Sequence, residues 1–107
     1  MAVSAGQFLG LIRGLTASEA GQRERSADEV TDLVRSYSPA EVNALAQVVA
    51  AVAAVEENVA ALEAQLHALL ELGSSGFLDA ASMAYLQEID KGSLPVSLVE
   101  YIEDLCE

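Results

Sequence analysis

Apolar residues are packed most densely between Ala44 and Val55, where only Gln47 interrupts them. Beyond that run the pattern becomes periodic. Val52, Val55, Val59, Leu62, Leu66 and Leu69 follow one another at three- and four-residue steps, the spacing of a heptad seam, with Glu56, Glu57, Glu63 and Glu71 off it. Both patterns lie in one stretch that opens with Ser38-Pro39-Ala40-Glu41, a capping box with Pro at the first helical position. It closes at Gly73, a residue suited to the left-handed end of a helix. The spacing predicts one central helix over about 39–72, roughly 50 Å long at about 1.5 Å per residue. A helix apolar all round is covered on several sides, so the first half of this spine is expected to be wrapped by other helices. The seam in its second half packs either on the chain's own helices or on a second copy.

The remaining pattern predicts shorter helices around that spine. Residues 3–15 form a first helix, with Gly6, Gly10 and Gly14 on one face for close approach of the Ala-rich half of the spine; the alternative is a weakly helical, frayed segment. Residues 16–26 are polar and read as a loop or short turn, with Thr16–Glu19 and Ser26–Glu29 as capping-box candidates. Ala27, Val30, Val34 and Tyr37 give helix two an inner stripe over 27–37, ended by Ser38-Pro39, and helices two and three are expected to form an antiparallel or angled hairpin. After a Gly73–Gly76 turn, Phe77 and Leu78 return to the core. Asp79 then caps a fourth helix over about 80–89, with Ala80, Met83, Leu86 and Ile89 inward. Pro95 starts a fifth helix, with Val99, Ile102 and Leu105 or Cys106 inward and Leu98 adjacent. No strand-like alternation occurs. The expected fold is all-α, a single domain of four to five helices around one long central helix.

Composition and charge narrow the function classes. The chain has 107 residues, no Trp and a single cysteine, so the core must be built from closely spaced aliphatic helices, and an internal disulfide is excluded. The amino terminus lacks the early positive charge of a signal peptide, because Arg13 follows its apolar run; a cytoplasmic protein is the expectation. Seventeen acids against five bases leave a net charge of −12. The imbalance is uneven: residues 1–40 carry −1 and residues 41–107 carry −11. Such a surface repels nucleic acid and anionic membranes and attracts basic proteins.

The last helix concentrates the acids. Glu100, Glu103, Asp104 and Glu107 recur at i, i+3, i+4 and i+7. Like charges at that spacing, at the negative end of the helix dipole, destabilise the helix. Breaks of local rules are expected at functional sites. With Tyr101 beside the stripe and Tyr85, Glu88 and Asp90 placed to adjoin it from helix four, these eight residues form the candidate partner-binding surface; a plain solvated face is the alternative. No catalytic set is present. His67, the sole histidine, shares a helical face with Glu63 and Glu71 but lacks convergent metal ligands, and Cys106 is flanked by acids, which disfavour its thiolate. Neither an enzyme nor a cofactor is expected.

The stretch Leu-Leu-Glu-Leu-Gly-Ser-Ser-Gly-Phe-Leu-Asp, followed by Asp-Lys-Gly-Ser-Leu-Pro-Val-Ser, resembles the small, acidic, all-helical immunity proteins of bacteria, in an actinobacterial, Ala- and Leu-rich style. The resemblance implies a protein that binds a cognate toxin domain, often a basic nuclease, and blocks it. The Tyr-Tyr-Pro signature of the colicin DNase inhibitors is missing, so their binding mode does not carry over. The alternative is a homodimeric helical adaptor that uses the 52–69 seam.

Overall fold

The structure, a computed structural model, describes residues 3–74, 84–89, 92 and 94–106, with the side chains of Tyr85, Gln87 and Cys106 outside that description. The fold is an all-α bundle. In chain order it has α1 (Ala5–Leu15), α2 (Ala20–Asp32), a 3-10 turn (Val34–Ser36), α3 (Pro39–Val55), α4 (Val59–Gly73), a 3-10 segment (Ala84–Glu88) and α5 (Val96–Cys106). The predicted cap at Asp79 and the inward Phe77, Leu78, Ala80 and Met83 lie outside the described residues. Of the rest of that helix, only the 3-10 segment is seen, with Leu86 buried and Ile89 packed against the core.

The single long spine is not formed. Its start is as expected: Ser38 Oγ accepts from Glu41 N–H at 3.2 Å, and Glu41 Oε1 accepts from Ser38 N–H at 2.8 Å. The helix stops at Val55, however, and restarts at Val59 under a side-chain cap from Asn58 Oδ1 to Ala61 N–H, 2.9 Å. Extended backbone at Glu56 and Asn58 makes an elbow between α3 and α4. The molecule measures 39 Å along its longest axis, shorter than the roughly 50 Å of an unbroken helix. At the far end, Gly73 remains helical, and Ser74, in right-handed geometry, is the cap.

The elbow folds α4 back into the bundle, where it packs against α2, α3 and α5. Its Leu62, Leu66, Leu69 and Leu72 are fully buried. The predicted seam therefore divides. Leu62, Leu66 and Leu69 belong to the chain's own core, while Val55 and Val59 stand exposed at the elbow. α3 contributes Leu45, Ala46, Val49, Ala50 and Ala53 to the same core, and small Ala side chains let the helices approach closely.

Further expectations are corrected. The polar stretch 16–26 is largely helical, as the first half of α2, and α2 packs on α4 and α1 instead of forming a hairpin with α3. Thr16 ends α1, where its hydroxyl donates to Ile12 O at 2.8 Å, and Ser26 lies buried within α2, so neither acts as an N-cap. Of the three glycines on α1, Gly6 and Gly10 face open space. Gly14 meets α2: a Cβ there would collide with Ser26 Oγ. On α5 the inner face centres on Leu98 and Ile102, with Val99 half-buried, a rotation of one residue from the expected stripe.

Candidate functional site

The acidic face of α5 is present and solvent-facing. Glu100, Glu103 and Asp104 are exposed, and none forms an ion pair among the described residues. No base lies in the last turn of the helix to offset its dipole. Tyr101 is half-buried, and its ring lies 6.4 Å from that of His67 on α4, tilted by 57°. That contact seats α5 beside the polar side of α4, where His67 Nε2 lies 3.5 Å from Glu71 Oε1 and Glu63 is exposed. The face is thus two helices wide, with the His67–Tyr101 contact at its seam. The sequence places Glu63, His67 and Glu71 on one helical face, but which helix packs beside that face is not encoded in the spacing. Among the described residues no group of three His, Cys, Asp or Glu side chains could hold a metal ion.

The other predicted members fall elsewhere. Tyr85 and Glu88 belong to the 3-10 segment, which packs chiefly on α3. Glu88 is exposed and lines a cleft at the α3–α4 elbow. Asp90 and Glu107 lie outside the described residues.

The elbow holds the strongest polar cluster, and sequence reasoning did not find it. Arg23 on α2 donates from Nε to Glu56 Oε1 at 2.7 Å and from Nη2 to Glu56 Oε2 at 2.8 Å. Its Nη1 donates to the carbonyls of Ala17 and Ser18, both at 2.9 Å. Glu56 also accepts from Gln65 Nε2 at 2.8 Å and from Asn58 N–H at 3.1 Å. Its side chain is only 1% exposed. The bidentate Arg23 guanidinium, with Gln65 and Asn58 donating as well, holds its carboxyl down at about 2, against the opposing effect of burial. The same bond raises the Arg23 pKa. Beside this cluster is a cleft of about 380 Å³ lined by Leu15, Thr16, Arg23, Val52, Val55, Glu56 and Glu57.

The chemistry of the cluster is structural. A carboxylate that already accepts four hydrogen bonds has little basicity to offer, and an always-protonated guanidinium cannot shuttle a proton. Arg23 instead ties the α1–α2 loop to the elbow. Tyr37 makes a second tie: its buried hydroxyl donates to Val30 O at 3.1 Å, serving a carbonyl in the last turn of α2. Burial, with Glu29, Glu41 and Asp32 nearby, pushes that phenol up.

No protein-family model matches the chain, and neither a curated protein nor a solved structure does.

Proposed function

We propose that this protein is a cytoplasmic binding protein that neutralises a basic protein partner through the acidic face of α5 and the adjoining side of α4. In the immunity-protein reading the partner is a toxin domain. The observation that carries the reading is the exposure of Glu100, Glu103 and Asp104 on a helix without a compensating base in its last turn. That arrangement weakens the helix by a few tenths of a kcal/mol per like-charged pair, a cost that a cationic partner would reverse. The net −11 carried after residue 40 supplies the long-range attraction. A half-buried tyrosine at the centre of a charged rim suits an aromatic anchor.

No helix among the described residues is long and apolar enough to cross a membrane, and the acid excess opposes binding to phosphate backbones. The adaptor alternative loses the inner half of its seam, because Leu62, Leu66 and Leu69 are already spent in the chain's own core.

The test is charge reversal. Glu103→Lys with Asp104→Lys changes exposed side chains only, so the fold should keep or slightly raise its melting temperature. The partner, captured from lysate of the source organism with the wild-type protein, should associate about tenfold more slowly with the double variant at low salt, and the difference should shrink at high salt. An unchanged, salt-insensitive association rate places the interface elsewhere.

A further inference from the structure

The geometry points to a second element of that interface: the cleft that the α3–α4 elbow forms with Glu88, Ile89 and Leu94 seats the apolar side of a basic amphipathic segment of the partner, an inference that rests on the partner's being basic. The cleft is about 670 Å³, within the ~300–1,000 Å³ range of built binding sites. Its apolar wall includes Val55, Val59, Leu62 and Leu94. Val55 is 76% exposed and Val59 47%, so two aliphatic side chains stand uncovered at one cleft while Leu62, Leu66 and Leu69 of the same seam are buried. The charges at the cleft are all negative among the described residues: Glu56, Glu57 and Glu88. Arg23 neutralises Glu56. Glu57 and Glu88 are exposed and form no ion pair among the described residues.

Charge selects the occupant. A second copy of this chain would bring its own −12 and the same acidic rim, and phosphate-bearing ligands meet the same repulsion. What complements an aliphatic cleft bounded by carboxylates is a segment with aliphatic side chains on one side and Lys or Arg flanking them, the groove-docking mode of amphipathic helices. Aliphatic contact would set residence time, and the glutamates orientation and approach.

The experiment is a methyl-detected NMR titration of the whole chain with a synthetic Leu/Lys peptide whose leucines share one helical face. Two controls accompany it: a scrambled peptide of the same composition, and a Leu/Glu counterpart. The expected result is saturable shifts at the Val55, Val59, Leu62 and Leu94 methyls, with the facially ordered peptide bound about tenfold or more tightly than the scrambled one. Val59→Lys and Glu57→Lys, both at exposed positions, should each remove most of that preference while leaving the spectrum of the core unchanged. Shifts confined to α5, or equal binding of the scrambled peptide, overturn the cleft and leave the basic-partner reading standing. Absence of any shift with either Lys peptide overturns both.

Discussion

Glu56 is the residue on which the most structure converges, and its energetics have a definite sign. In the unfolded chain its carboxyl titrates near 4.5, and in the fold near 2. Between those values the unfolded state binds the extra proton, so the stabilisation is complete above pH 4.5 and is lost as pH falls through about 2. The full difference corresponds to about 3 kcal/mol, because the carboxylate is almost completely shielded from solvent. Glu56→Gln, which keeps the shape and removes the charge, should therefore lower stability by about that amount at neutral pH. Urea titrations at pH 7, 4 and 2.5 should show the gap between variant and wild type closing with acidification. A gap that persists unchanged to pH 2.5 would mean that shape, not charge, is what the elbow requires. Gln65 adds a constraint of its own: fully buried, it donates its amide to Glu56 while its Oε1 has no hydrogen-bond partner among the described residues.

At the scale of elements, the elbow is set by two devices, the Arg23 clamp and the Asn58 cap. Losing an N-cap costs about 1 kcal/mol, so Asn58→Ala should lower the melting temperature by roughly 4–8 °C. Circular dichroism should show helix content nearly unchanged, because the bidentate clamp still turns the chain. A rise in stability would show that the cap opposes a straighter helix. This elbow also marks where the sequence was legible and where it was not. The Ser38–Glu41 box, the all-helical class and the buried Leu62–Leu69 positions could be read from caps and periodicity. The break at 56–58 could not, since no Gly or Pro signals it and, beside the local Asn58 cap, what holds it is an arginine 33 residues away. The start of α2 was hidden for a similar reason. That helix buries mainly Ser26, Ala27 and Val30, too few apolar residues to show a stripe, and its early turns are tied down by Arg23. The exposed acids of α5 were legible from spacing alone. Their junction with α4 through His67 and Tyr101 depends on how two helices pack, which local pattern does not encode.

For the molecule as a whole, the surplus of acid opposes its own compaction. Screening should relieve that repulsion, so the melting temperature at pH 7 should rise by several degrees between about 10 mM and 0.5 M NaCl, as followed by calorimetry. A flat or falling trend would mean that the acids are spaced widely enough not to oppose folding. The Arg23–Glu56 tie spans 33 positions of chain, and this separation has a consequence for synthesis. At about 5–20 residues per second, Arg23 leaves the ribosome roughly two to seven seconds before its carboxylate partner. Gln65 and the α4 surface that covers Ala27 and Val30 follow later still. The nearly neutral amino-terminal part thus waits, incompletely covered, for the acidic part that completes it, and the nascent protein closes as a unit only once α4 has emerged.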